Sequence, residues 1–192
     1  MNIINGLVIW FTGLSAAGKS TIAEQLRLEL IHRNKQVCIL DGDKVREGLC
    51  SDLGFCHEDR VENIRRVAEV AKLFCEAGII VIVALISPYR EDRLRARDRI
   101  GHSNFIEVFV DCPIEECERR DPKGLYSKVR KGIITKFTGI SDSYEKPLNP
   151  EIHLKTDELK IEQCVQEILN YLSQSQLSNR SMVVEFAKSN LS

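Results

Sequence analysis

Apolar and polar positions follow two alternating patterns along this chain. Short, nearly continuous apolar runs at Leu7–Thr12, Gln36–Leu40, Ile79–Leu85 and Phe105–Val110 predict strands buried on both faces. Between them, apolar residues recur at helical spacing. Ile22, Leu26 and Leu30, with Ala23 beside them, mark the inner face of a helix over Thr21–His32. Glu58–Ala77 is the clearest helical stretch, with Val61, Ile64, Val67, Ala68, Ala71, Leu73 and Phe74 inward and Gly78 placed to end it. Asp43–Gly48 reads as a short helical turn, and Pro88 suits the first turn of a helix over Glu91–Ile100. Another helix follows Asp111-Cys-Pro and runs through Arg119. Asn149–Leu154 predicts a short last strand. Asp157 is placed to cap a final helix over Glu158–Ser173 with Ile161, Val165, Ile168, Leu169 and Leu172 inward. Strands alternating with helices predict a three-layer α/β fold, with a parallel sheet of about five strands and helices on both faces.

One stretch breaks the pattern. Residues 121–140 hold five lysines and arginines, three glycines and few core positions, which predicts a mobile lid containing a helix. Residues 1–173 are expected to form one domain. Residues 174–192 read as a tail, either disordered or a short docking helix, with no functional assignment.

Composition narrows the picture. The 192 residues carry a formal net charge of −1, which argues against a broad nucleic-acid footprint. No apolar stretch of about 18 residues is present, so no transmembrane helix is expected. The N-terminus lacks the pattern of a signal peptide. The seven cysteines, at 38, 50, 56, 75, 112, 117 and 164, include no C-x-x-C pair and are expected to be reduced, in a cytoplasmic protein. Cys50 and Cys56 flank a loop where redox sensitivity stays open, and no zinc-ligand cluster is visible.

The first strand runs into Gly13-Leu14-Ser15-Ala16-Ala17-Gly18-Lys19-Ser20-Thr21, which fits G-x-x-x-x-G-K-[ST] in its strand–loop–helix context. Such a loop turns its amide groups onto phosphates at a helix N-terminus. Lys19 would reach the β and γ phosphates of a nucleotide, and the Ser20 hydroxyl would ligate magnesium. Asp41-Gly-Asp43 ends the second strand next to this loop. Two jobs there need a carboxylate: ordering the metal, and accepting or orienting the proton of an attacking hydroxyl. Ser87 follows the third strand, on the same edge, where ligands of parallel sheets bind, and is a candidate catalytic residue. Arg46 and Arg60 offer planar forks for phosphate or sulfate, and Phe55 sits in a polar loop where it could stack on a base. Asn63 shares a helix face with Arg60. Together these describe a pocket for an anionic aromatic ligand, a second nucleotide-like substrate. Arg120, Lys123, Lys128, Arg130, Lys131 and Lys136 make the lid basic.

The loop, with Leu40-Asp-Gly-Asp-Lys-Val-Arg46, Leu53-Gly-Phe55, Asp59-Arg-Val-Glu-Asn-Ile-Arg-Arg66 and Ile86-Ser-Pro-Tyr-Arg90, resembles the adenylylsulfate kinase family of P-loop kinases. Arg120-Asp-Pro-Lys-Gly-Leu-Tyr126, Phe137-Thr-Gly-Ile140 and Tyr144-Glu-Lys-Pro147 extend the likeness, which runs from about Leu7 to Leu172. The resemblance implies a P-loop NTPase-type fold and transfer of the γ-phosphoryl of MgATP to the 3′-hydroxyl of adenosine 5′-phosphosulfate. It implies that Gly13–Thr21 holds the ATP phosphates and magnesium, with Ser20 and Asp41 at the metal and Asp43 at the acceptor hydroxyl. Arg46, Arg60 and Asn63 match contacts to the acceptor, Phe55 and Phe137 a pair sandwiching its adenine, and Ile86 and Ser87 the bordering loop. Lys123 matches a lid lysine near the phosphates, and Arg120 a residue under the ATP adenine. A homodimer is implied as well.

Two positions depart from the family pattern. Ala16 stands where a glycine is usual, and activity is expected to survive if that residue keeps a negative φ. Lys44 replaces a usual asparagine and adds a cation near Asp43. Other readings stay open: a P-loop kinase with a different acceptor, a nucleotide-dependent switch, or a catalytically weakened regulatory protein.

Overall fold

The computed structural model describes residues 6–174. Five strands, β1 (Leu7–Thr12), β2 (Val37–Asp41), β3 (Ile80–Ala84), β4 (Phe105–Asp111) and β5 (Ile152–Lys155), form one parallel sheet in the order β2-β3-β1-β4-β5. The helices are α1 (Lys19–His32), α2 (Gly42–Glu47), α3 (His57–Glu76), α4 (Arg90–Ile100), α5 (Ile114–Arg120) and α6 (Leu125–Arg130). Residues 161–174 form a further helix, α7.

Side chains of β1 alternate between two cores, which explains its unbroken apolar run. Ile9 and Phe11 pack with Ile22 and Leu26 of α1 and with Ile168 and Leu169 of α7. Val8 and Trp10 pack with Ile64, Val67 and Ala71 of α3 and with Ala96 and Ile100 of α4. β1 therefore lies at the centre of the sheet, and the loop leaving it opens at the middle of the carboxyl edge.

Several local expectations change. α1 begins at Lys19 because Gly18 takes a left-handed conformation (φ 106°) that starts the helix without a side-chain cap. Pro88 lies outside α4, whose cap position is Tyr89. Asp157 sits in a turn; α7 starts later, where the Lys160 amide donates to the Gln163 side chain at 2.9 Å. Leu73 (65% exposed) and Ile161 (40%) face outward, at the margins of their helices' apolar stripes. Gly78 does follow α3, at φ 83°.

The lid segment has more core than its charge suggests. Tyr126 and Phe137 are buried, and Leu125, Val129 and Ile134 pack against the same core. All seven cysteines are free thiols. Among the described residues no helix is long and apolar enough to cross a membrane. Beyond Gln174, the expected tail lies outside the described residues.

Candidate active site

A cleft of about 1100 Å³ runs along the carboxyl edge of the sheet. It is bordered by the phosphate loop, by α2 and the loop after it, by α3, by the loop after β3 and by the lid. It is large for a single ligand site.

The loop sits at the cleft's centre because β1 does. Gly13 takes φ 153°, and a Cβ there would lie 2.3 Å from the Val110 carbonyl oxygen of β4. The Lys19 ammonium donates to the carbonyls of Gly13 (2.9 Å) and Leu14 (2.6 Å). Burial pulls its pKa down to about 8, against the favourable charge of nearby Asp41. Ala16 has φ 60°, so the condition of a negative φ is not met there. An alanine in that region is strained by roughly 1–2 kcal/mol. Neighbours fix the loop's back: Thr156, just past β5, donates to the Ala17 carbonyl at 2.8 Å, and the Tyr126 hydroxyl donates to that of Ser15 at 3.0 Å.

The two carboxylates of Asp41-Gly-Asp43 divide the work. Asp41 caps α2: its Oδ1 accepts from the Asp43 amide at 3.0 Å, and its Oδ2 accepts from the Ser20 hydroxyl at 2.6 Å. Ser20 and Asp41 thus present hard oxygen donors side by side, which suits a magnesium ion that keeps several waters. Among the described residues no group of three or more His, Cys, Asp and Glu side chains forms a self-sufficient metal site. Asp43 is exposed and pairs with Lys123 of the lid. Lys44 is not that partner; its charge acts on Glu24 of α1.

On the other side of the cleft, Arg46 donates to the Gly54 carbonyl (2.9 Å) and stacks 4.3 Å over the Phe55 ring. Burial lowers its pKa. Phe55 is 60% exposed, so its other contacts are left to the cleft. Arg60 donates to the Phe55 carbonyl (2.9 Å), to the Thr138 hydroxyl and to Asp142 (2.9 Å). It therefore fastens α3 to the segment after Phe137. Asn63 is 3% exposed, lies beside Cys50, and has a side-chain nitrogen with no hydrogen-bond partner. Such a buried donor costs about 1–3 kcal/mol until something accepts from it. Phe137 borders the cleft and meets Tyr126 edge-on.

Two assignments shift. Ser87 borders the cleft with Ile86, but its hydroxyl accepts from Trp10 Nε1 at 3.0 Å, and its carbonyl accepts from Arg93 at 2.6 Å. The residue is 1% exposed, and in this arrangement its hydroxyl holds the loop in place against Trp10. Arg120 borders the cleft while its guanidinium is tied to Glu116 and to the Thr156 carbonyl (2.5 Å). The contacts of Tyr126 with the phosphate loop and of Thr138, Asp142 and Thr156 with their partners are not apparent in the sequence. Thr138 does lie within the Phe137-Thr-Gly-Ile140 stretch, and Thr156 stands directly after the last strand.

The comparisons with known proteins agree with one another. Residues 5–155 match the family model for adenylylsulphate kinase. An adenylyl-sulfate kinase of Clostridium kluyveri is 54% identical over 169 residues, covering 88% of this chain and 84% of the relative. One from Pseudomonas aeruginosa is 56% identical over 169 residues, covering 88% and 86%. The Mycobacterium tuberculosis APS kinase CysC, solved in complex with AMPPNP and APS, superposes with a TM-score of 0.85 at 44% identity, covering 88% of this chain and 98% of that one. A gluconokinase from Sinorhizobium meliloti, at 14% identity and a TM-score of 0.59, shares the fold alone.

Proposed function

The chain belongs to the adenylylsulphate kinase family, and from that premise we infer how its cleft transfers the γ-phosphoryl of ATP to the 3′-hydroxyl of adenosine 5′-phosphosulfate. The products are ADP and 3′-phosphoadenosine 5′-phosphosulfate. The observation that carries this reading is a continuous cleft joining the phosphate loop to Arg46, Phe55, Arg60, Asn63 and Phe137.

In this reading the amides of Gly13–Thr21 hold the donor phosphates, and Lys19 turns from the Gly13 and Leu14 carbonyls to the β and γ oxygens. Ser20 and Asp41 would hold magnesium, which when bound neutralises charge on the β and γ phosphates. Arg120, which the family resemblance puts near the ATP base, would border that base while its guanidinium stays tied to Glu116 and Thr156. Phe55 and Phe137 take the acceptor's adenine between them, Asn63 offers its unpartnered nitrogen to the acceptor, and Arg46 and Arg60 supply positive charge to its phosphosulfate. Asp43 receives the proton as the 3′-oxygen bonds to the γ-phosphorus and the bond to the β–γ bridging oxygen breaks. Lys123, paired with Asp43, brings a cation to the transferring group as the lid closes.

The rival reading is a kinase of the same fold with another acceptor, which the gluconokinase's likeness in fold permits. An aliphatic acceptor would leave Phe55 and Phe137 without a flat partner. Mixing the protein with MgATP and adenosine 5′-phosphosulfate and following ADP release decides between them. Release that depends on the sulfate nucleotide is expected; release no faster than with ATP alone rejects the reading, and also fits a weakened regulatory protein. The seven free thiols suit a reducing cytoplasm, and a homodimer is proposed from the family resemblance, to be measured by sedimentation.

A further inference from the structure

A buried side chain joins the donor and acceptor halves of the cleft. Tyr126 is 2% exposed. Its hydroxyl donates to the Ser15 carbonyl of the phosphate loop at 3.0 Å. Its ring meets the Phe137 ring edge-on, with centroids 4.9 Å apart and planes at 72°. The residue's own backbone is held: the amides of Tyr126 and Ser127 both donate to the Asp121 carboxylate, at 3.1 and 3.0 Å. Burial and the adjacent Cys117 raise the phenol's pKa, so the hydroxyl remains a donor.

The segment after Phe137 touches the same loop by a second route. Gly139 has φ 91°, and a Cβ there would lie 2.7 Å from Cδ2 of Leu14. The turn is closed on itself, because the amides of Ile140, Ser141 and Asp142 all donate to the Phe137 carbonyl at 3.1 Å. Ser141 Oγ accepts from the Phe137 amide at 2.8 Å. A shift of the phosphate loop at Leu14 or Ser15 is therefore passed to a rigid turn that carries Phe137.

Resting on the reading of Phe137 as a wall of the acceptor site, we propose that Tyr126 is a positioning residue that sets Phe137 against the donor loop, so that filling one half of the cleft changes affinity in the other. Tyr126 is buried behind the cleft and is not among the residues that line it. Its hydroxyl reports the position of Ser15, and its ring passes that position to Phe137.

The test measures binding of adenosine 5′-phosphosulfate to the full chain at equilibrium, with and without a non-hydrolysable ATP analogue. The ratio of the two affinities is the quantity read. In the wild-type protein the ratio should differ from one. Tyr126→Phe keeps the ring and removes the hydroxyl. It should bring the ratio toward one by roughly three- to tenfold, the worth of a single hydrogen bond, with nucleotide-free acceptor affinity nearly unchanged. A wild-type ratio of one overturns the proposal. So does a Tyr126→Phe protein that loses both affinities equally, since that outcome assigns the residue to packing alone. If Tyr126→Phe does not fold, Leu14→Ala tests the same coupling through the Gly139 contact. A ratio nearer one supports the proposal there too, and an equal loss of both affinities overturns it. Turnover of the wild-type protein, measured alongside, separates failure of this inference from failure of the kinase reading.

Discussion

The Ser20 hydroxyl donates to Oδ2 of Asp41 at 2.6 Å, joining the start of α1 to the end of β2 across the mouth of the cleft. The other Asp41 oxygen is occupied by the cap of α2, so the Ser20 side is the one free to turn to a cation. Asp41→Asn keeps an oxygen for the cap and removes the charge. The magnesium concentration giving half-maximal turnover is expected to rise on the order of tenfold, the scale of one charge-assisted contact. A titration matching wild type would take Asp41 out of the metal site.

Asp43 is the one carboxylate of the pair whose side chain faces the lid, through Lys123. Replacing it with alanine should lower kcat by at least about a hundredfold, in the range of positioned acid–base groups. The KM for ATP should move little. Steady-state rates at saturating substrates check this, and near-normal turnover would exclude Asp43 as the proton acceptor.

The parts of this molecule that are legible in the sequence are those set by neighbours along the chain. β1 announces itself by apolar residues on both faces, and the loop after it by its glycine and lysine spacing. What stays hidden depends on residues far apart. Arg60 meets Thr138 and Asp142 across 78 and 82 positions, and Ser87 meets Trp10 across 77. Nothing in a single sequence pairs such residues, so Arg60 reads as a free cation and Ser87 as a free hydroxyl. The apolar packing of residues 121–140 is hidden for a related reason. Its charges dominate its composition, while its hold on the core rests on a few apolar side chains, Tyr126 and Phe137 foremost. The start of α7 is contested by two polar candidates, Asp157 and the Lys160–Gln163 pair, which the apolar pattern does not distinguish.

Lys19 gives a dependence on pH whose sign follows from its burial. Its folded pKa of about 8 lies below the ordinary 10.5. Between those values the unfolded chain binds more protons, so this residue's contribution to stability rises with pH there. Below pH 8 the ammonium is charged in both states, and its burial counts against the nucleotide-free fold. Relative to Lys19→Met, the wild-type protein should therefore gain stability as pH is raised from about 7 to about 10, read by denaturant unfolding. ATP affinity should move the opposite way. A polyphosphate favours the charged lysine, so affinity should fall above about pH 8, by at most roughly tenfold per unit. Affinity flat across that range would contradict the buried, depressed ammonium.

Ala16 holds φ 60° with a methyl group that the region disfavours. Ala16→Gly should release strain of roughly 1–2 kcal/mol and give back part of it, about 0.5–1 kcal/mol, to the freer unfolded chain. The nucleotide-free protein should therefore be more stable by about 0.5–1 kcal/mol, measured by denaturant unfolding. A less stable variant would mean that the methyl group's packing outweighs the dihedral.

Ala16 also shows that the consensus letters of the loop conceal unequal tolerances. Gly13 is barred from any side chain by the Val110 carbonyl, a matter of room. Gly18 has room, its nearest neighbour to an added Cβ being Ile22 at 3.8 Å, and is constrained by its dihedral instead. Ala16 lives with such a dihedral and a methyl group together. Random mutagenesis of this loop should therefore return a graded map: closed at 13, costly at 18 and open toward glycine at 16. A search that weights every glycine of the motif equally would misjudge this chain at the one position where its backbone has already absorbed the substitution.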